Sequence, residues 1–165
     1  MTEGAYNLSV YAEDMAGNKG ESKSIDFFVD FAAPVVTSAK VGTLVLEKEK
    51  TVYLKTDTAI SVSGTITETN GIKSVTINEQ PANVALVDQN VSNGRYSFNV
   101  SELAIPPANE DFSIIIKVTD KAGLESVNNY IVHNDKTAPN VIFSKPTVGE
   151  NKLLSGENSL YDKDF

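Results

Sequence analysis

The chain has 165 residues, of which 22 are acidic and 14 are basic, and its formal charge of −8 disfavours binding to nucleic acid or to anionic membrane surfaces. Cysteine is absent, which excludes disulfide bonds, cysteine nucleophiles and thiolate metal sites. The hydrophobic content of 41% is enough to bury a core. No run approaches the roughly 18 consecutive apolar residues of a membrane span, so a globular chain without membrane insertion is predicted.

The first predicted element is a strand near the N-terminus. Its apolar positions alternate with polar or outward ones, which is typical of a strand with one buried face; they are Tyr6, Leu8, Val10 and Ala12. The segment 14–17, Asp-Met-Ala-Gly, then has turn chemistry, because Asp accepts hydrogen bonds from the backbone ahead of it and Gly tolerates a positive φ. A second β-rich run follows, and the segment is predicted to form a hairpin.

The pair Ala33-Pro34 after this hairpin indicates a domain boundary. Proline fixes φ, lacks an amide hydrogen and favours an extended conformation in the residue before it.

The central part of the chain predicts several short strands separated by turns. Turn residues occur at 68–71 and 78–81, and the pair Asn93-Gly94 opens a further strand. Gly64 is predicted to mark a β-bulge. The predicted inward side chains are Ile60, Val62, Ile66, Val75, Ile77, Tyr96, Phe98 and Val100.

The segment 112–123 repeats the first strand and its turn. Asp120 follows Asp14 by 106 positions, and Pro139 follows Pro34 by 105 positions. The repeated inward positions are Phe112, Ile114, Ile116 and Val118. A repeat of this length has the size of an immunoglobulin domain.

These patterns together predict an all-β chain with an immunoglobulin-like antiparallel β-sandwich in tandem domains. No window of ten or more residues shows sustained helical spacing of apolar side chains, which argues against helices. The predicted units are a C-terminal hairpin of an upstream domain at 1–33, a complete sandwich at 34–138 and the start of a downstream domain at 139–165.

Three motifs resemble bacterial immunoglobulin-like or fibronectin type III-like repeats. They are Val-Ser-Gly-Thr-Ile-Thr-Glu-Thr-Asn-Gly-Ile-Lys-Ser-Val-Thr-Ile-Asn at 62–78, Gly-Arg-Tyr-Ser-Phe-Asn-Val at 94–100, and Lys-Val-Thr-Asp-Lys-Ala-Gly at 117–123 with Asp-Lys-Thr-Ala-Pro at 135–139. Such repeats occur in Gram-positive adhesins and behind the protease domain of lactocepin-type cell-envelope subtilases. The resemblance implies an extracellular location at the cell wall of a Gram-positive bacterium.

The resemblance leaves three functions open. The first is a non-catalytic spacer or accessory module whose partners are the adjacent domains of the same polypeptide. The second is an adhesin repeat that binds a host protein or glycan, with Tyr11, Phe28, Phe31 and Tyr53 as exposed aromatic residues. The third is an accessory region that packs on a subtilisin-like serine protease domain outside this chain.

The sequence does not predict catalysis by this chain itself. His133 is the single histidine, so a Ser-His-Asp arrangement would need it, with Asp135 close by in sequence. Its counterpart in the first copy of the repeat is Phe28, which has no acid–base capacity.

Calcium is the one cofactor that the acidic residues suggest. Hard cations need several oxygen ligands, and the repeat places acids at the Asp-x-Ala-Gly turn and again just before Ala-Pro. The predicted clusters are Asp14 with Asp30, and Asp120 with Asn134 and Asp135. The alternative is that these aspartates only build turns, since no Asp-x-Asp triplet is present to complete a coordination shell.

The two ends of the chain predict self-association. If the end segments are incomplete domains, both carry unpaired backbone edges, which favours head-to-tail association between chains.

Overall fold

The computed structural model describes residues 1–88, 94–105 and 108–141, together with the backbone of 147–148 and 151–152. These residues form strands and turns and contain no helix, so the predicted all-β class is confirmed. None of them therefore forms a helix that is long and apolar enough to cross a membrane.

The first two strands form the predicted hairpin. Strand β1 (Gly4–Val10) pairs antiparallel with β2 (Lys23–Val29) in a two-stranded sheet of their own. The turn between them contains Gly17 at φ 86°, a left-handed conformation that glycine adopts at little cost. The equivalent Gly123 of the repeat has φ 93°, so both copies use the same turn chemistry.

The next strands form two five-stranded sheets. One sheet has the order β4-β3-β6-β10-β9 and is built from β3 (Val35–Val41), β4 (Leu44–Val45), β6 (Ile60–Glu68), β9 (Asn83–Asp88) and β10 (Gly94–Leu103). The other has the order β5-β12-β11-β7-β8 and is built from β5 (Thr51–Leu54), β7 (Ile72–Ile77), β8 (Gln80–Pro81), β11 (Asp111–Asp120) and β12 (Glu125–Asn134).

One strand pair departs from the predicted antiparallel arrangement. β5 runs parallel to β12, with Thr51 opposite Ile131 and Leu54 opposite Asn134. Parallel neighbours need a long connection, and here the whole body of the sandwich lies between the two strands in sequence. The sequence pattern of a four-residue strand carries no signal for such a distant partner.

The two sheets share one hydrophobic core and thus form the predicted sandwich. Alternate side chains of each strand point inward, as the period-two pattern requires. The buried side chains include Ile60, Val62, Ile66, Phe98 and Val100 from one sheet and Val75, Ile77, Ile114, Ile116 and Val118 from the other. Tyr96 and Phe112 pack against this core while partly buried.

The predicted bulge lies in a neighbouring strand. The register between β3 and β6 shifts between Val36 and Ser38, so the extra residue is Thr37 and not Gly64. Gly64 instead allows a close approach, because a Cβ atom there would lie 2.1 Å from the carbonyl oxygen of Ser38 and 2.5 Å from the Phe98 ring.

The prediction of a buried face on β1 is wrong. Leu8 is 54% exposed, although its repeat counterpart Ile114 is fully buried. Among the described residues the β1–β2 hairpin has no second sheet against it, and alternation alone does not report whether such a sheet is present.

The structure does not decide the predicted domain limits. All strands of the two large sheets lie between Val35 and Asn134. Beyond them, β13 (Thr147–Val148) and β14 (Asn151–Lys152) pair antiparallel, and most of the predicted downstream unit lies outside the described residues. The limits at 33/34 and 138/139 stay predictions.

Candidate functional site

Three chain segments meet at one end of the sandwich, which we call the junction end. The linker at 30–34 arrives there, because the first residue of β3, Val35, pairs with Thr67 near the end of β6. The β6–β7 turn at 69–71 lies at the same end. So does the end of β11, because Asp120 pairs with Ile72, the first residue of β7.

An acidic cluster forms where these segments meet. Carboxylate oxygens of Asp30, Glu68 and Asp120 all lie within 4.8 Å of one another. Glu68 and Asp120 are buried, with 5% and 0% of their surface exposed, and Asp30 is half-buried. The cluster joins the linker to one strand from each sheet.

The register of the strands explains why two of these acids are buried. Inward positions alternate along β6 and β11, so Glu68 follows Ile66 and Asp120 follows Val118 on the core-facing side. Each strand therefore ends with a carboxylate where its pattern would place another apolar side chain.

Asn70 connects the linker to the β6–β7 turn. Its side-chain nitrogen Nδ2 donates to Asp30 Oδ2 at 2.5 Å, and its backbone amide donates to Glu68 Oε1 at 2.8 Å. The other oxygen of Asp30 accepts from the backbone amide of Ala32 at 3.0 Å, which closes a tight turn in the linker. These bonds fix the position of two of the three carboxylates.

Asp120 has one oxygen without a hydrogen-bond partner. Its Oδ1 accepts from the backbone amide of Leu124 at 2.8 Å, whereas its buried Oδ2 accepts from no donor in the described part of the chain. No lysine, arginine or histidine among the described residues forms an ion pair with Asp120, Glu68 or Asp30. Burial raises the pKa of Glu68, and the charges of Asp30 and Asp120 raise it further, against the lowering effect of the backbone hydrogen bonds.

The structure does not bring Asp14 and Asp30 together. Asp14 lies in the β1–β2 turn, and Asp30 follows the other end of β2, about 20 Å of strand away. Asp14 accepts from the backbone amides of Ala16 and Asn18, each at 2.9 Å. Hydrogen bonds from Asn18, above all from its side chain, lower the pKa of Asp14.

Asp120 is likewise far from Asn134 and Asp135. Asp120 comes before the first residue of β12, whereas Asn134 and Asp135 lie at the other end of this strand. About 30 Å of strand therefore separates Asp120 from the other two residues. Asn134 is buried and bonds the backbone of Thr56, both its amide and its carbonyl, at 3.2 Å. Asp135 Oδ1 accepts from the Thr137 amide at 2.8 Å. The predicted groupings are therefore wrong, while metal binding itself stays a prediction.

Glu68 is the cluster member that sequence reasoning missed. The signal was present, because an acid occupies an inward position directly after Ile66 in a strand of strict alternation. The 68–71 segment was assigned only to a turn, and that turn is confirmed, with Gly71 at φ 95°.

The remaining candidate residues are not members of this cluster. His133 Nδ1 lies 2.5 Å from Asp111 Oδ1, and its ring lies 5.3 Å from that of Tyr53, while Asp135 bonds Thr137 instead. Tyr11, Phe28, Phe31 and Tyr53 are all exposed, as expected, but their role in binding is untested.

Comparison with known proteins identifies a family. The family model for the bacterial Ig-like domain (group 3) matches residues 1–142, most of the chain. No curated protein and no solved structure matches the chain. Domains of this family are typically non-catalytic, and bacterial Ig-like domains are common in extracellular surface proteins. The sandwich and the family match agree, and the chain belongs to the bacterial Ig-like domains of group 3.

Proposed function

We propose that the chain is a non-catalytic structural spacer of a cell-wall-associated surface protein from a Gram-positive bacterium. Its units would be tandem Ig-like domains with limits at 33/34 and 138/139, and its immediate partners the adjacent domains of the same polypeptide. The family match supports an Ig-like accessory module. A cell-envelope serine protease is one candidate parent, with its catalytic domain outside this chain.

The observation that carries the proposal is the anchored linker at the junction end. The Asp30 carboxylate closes a turn onto Ala32 and accepts a hydrogen bond from Asn70 of the sandwich. Pro34 is buried, and proline removes one backbone rotation at the point where the linker joins β3. The linker is short, and the Asp30 carboxylate bonds both the linker itself and the sandwich. These contacts limit the angles between neighbouring units.

The linker after β12 has the same local design. Asp135 accepts from Thr137 as Asp30 does from Ala32, at equivalent positions of the repeat. The amide of Lys136 donates to Asn109 Oδ1 at 3.1 Å. Lys136 also pairs with Asp57, and its hydrogen bond lowers the pKa of that carboxyl. Two linkers that share the same turn and are each bonded to the sandwich favour a chain of units with a set spacing.

We expect a narrow distribution of distances between the hairpin and the sandwich. The chain lacks cysteine, so Ser24→Cys and Glu102→Cys introduce two exposed sites for spin labels, and double electron–electron resonance measures their separation. In the same labelled background, Asn70→Ala should broaden the distribution, because the bond to Asp30 is lost. Asn109→Ala should leave the distribution unchanged, because the Asn109 side chain bonds the second linker, at Lys136 and Thr137. If the distance distribution of the chain with an unmodified linker were as broad as that of the Asn70→Ala variant, the spacer proposal would be contradicted.

Head-to-tail association is a second part of the proposal. The uncovered face of the β1–β2 hairpin exposes Leu8, Val10 and Ile25, at 54%, 59% and 61%. Exposed apolar sheet surface of this kind favours association with another chain. Sedimentation velocity should show a mass that increases with concentration, and Val10→Lys should abolish the increase. A monomer at every concentration would contradict this expectation.

An adhesin role is the alternative, and the position of Tyr53 is the observation that favours it. Tyr53 lies on the edge strand β5, is 64% exposed, and stands beside the His133 ring. Aromatic rings at an edge can contact sugars or an added peptide strand. Retention of the chain on a glycan or host protein through Tyr53 would favour this role over the spacer.

A further inference from the structure

Without a bound cation, the acidic cluster is energetically unfavourable. Three carboxylates share one small volume, two of them are buried, and no basic side chain of the described residues pairs with them. Buried charges are stable in proteins when they are paired or bind metal ions. The side chain of Lys121 lies close to Gly71, in the turn that follows Glu68, and makes no ion pair with any of the three acids.

The free oxygen of Asp120 is an independent indication of a ligand. Buried polar atoms almost always have a hydrogen-bond partner, so each exception needs an explanation. The Asp120 side chain is fully buried, and its Oδ2 has no donor among the described residues although Oδ1 has one. A cation in the cluster would supply the missing partner.

The donor set selects the class of cation. All three side chains offer carboxylate oxygens, the ligands of hard cations, and the described cluster contains no histidine. Calcium binds oxygens at about 2.3–2.6 Å, so two oxygens on opposite sides of one ion are roughly 5 Å apart. The separations of up to 4.8 Å in the cluster fit one such ion. Magnesium requires shorter bonds and a stricter octahedral geometry.

We propose that Asp30, Glu68 and Asp120 bind a calcium ion that ties the linker to both sheets of the sandwich. Asp30 contributes the linker, Glu68 the end of β6 and Asp120 the end of β11. Asp30 is the last acid of the first repeat copy, and Asp120 is the turn acid of the second copy. The sequence prediction grouped acids within one copy, so it did not place these two in one site. The inference does not rest on the spacer function, since a stiff linker needs no metal and a metal site needs no spacer role.

The test compares Asp120→Asn with Asp14→Asn in the full chain. The two aspartates occupy equivalent positions of the repeat and both accept backbone amides in their turns, but only Asp120 belongs to the cluster. In calcium-free buffer, addition of CaCl₂ to about 100 times its dissociation constant should raise the Tm of the sandwich by roughly 10 °C. Asp14→Asn should keep this shift, and Asp120→Asn should lose it.

A second measurement gives a signature that a purely structural aspartate would not produce. In chelator, Asp120→Asn should be at least as stable as the unmodified chain, because it removes a charge from an uncompensated cluster. In the presence of calcium, the unmodified chain should be more stable than Asp120→Asn. Asp30→Asn, in the linker outside the sandwich, should weaken calcium binding at least tenfold by titration calorimetry without unfolding the sandwich.

Three results would overturn the proposal. They are a Tm of the unmodified chain that does not respond to calcium, an equal loss of response in Asp14→Asn and Asp120→Asn, and an equal response to MgCl₂. None of these results would alter the distance distribution expected for the linker in calcium-free buffer, so failure of the metal site and failure of the spacer proposal are distinguishable.

Discussion

Ile114→Ala should lower the free energy of unfolding of the sandwich by about 2–5 kcal/mol, the range for deleting a large aliphatic side chain from a core. Ile114 is fully buried between the sheets, and the substitution would leave a cavity that its neighbours fill only in part. Leu8→Ala, at the equivalent position of the first repeat copy, should change the free energy by less than about 0.5 kcal/mol because that side chain is exposed.

Urea denaturation followed by circular dichroism measures both variants. The two positions are equivalent in the repeat and both carry a four-carbon aliphatic side chain, so the difference in burial is the main difference between the variants. Equal losses for the two variants would mean that the hairpin face is covered in solution.

Gly64→Ala should destabilise the sandwich by about 1–3 kcal/mol, the usual cost of overpacking a core. The added methyl carbon would lie 2.1 Å from the Ser38 carbonyl oxygen and 2.5 Å from Cζ of Phe98. Neither neighbour can yield easily, because Ser38 belongs to the adjacent strand and Phe98 is buried.

Gly20→Ala is the matched control for this substitution. A Cβ atom there would lie 3.4 Å from the nearest atom, the carbonyl oxygen of Ala12, which is an ordinary contact. Thermal unfolding of the two variants should show a loss for Gly64→Ala and little change for Gly20→Ala. A Gly64→Ala variant as stable as the unmodified chain would show that β3 shifts freely.

The period-two pattern was sufficient to predict the core of the sandwich. The inward residues of β6, β10 and β11 were named correctly because alternation along a strand depends only on local geometry. Turns at 14–17 and 68–71 were predictable for a similar reason, since Asp and Gly act over a few residues.

What the sequence did not predict depends on distant partners. The parallel pairing of β5 with β12 and the exposure of Leu8 follow from which strands meet, and alternation is the same with or without a second sheet. The acids were grouped wrongly because neighbours along a hairpin can lie at its opposite ends. Asp30 reaches Asp120 only because β3 and β11 bring their ends to one side of the sandwich.

The positions of the two linkers decide how the sandwich would respond to mechanical force. One linker joins β3 at the junction end, and the other leaves β12 at the opposite end and from the opposite sheet. Tension between them therefore acts along the strands, so the hydrogen bonds of β3 with β6 and of β5 with β12 are sheared together. Hydrogen bonds loaded in shear must break together and not one after another. This geometry therefore favours a domain that unfolds only at high force.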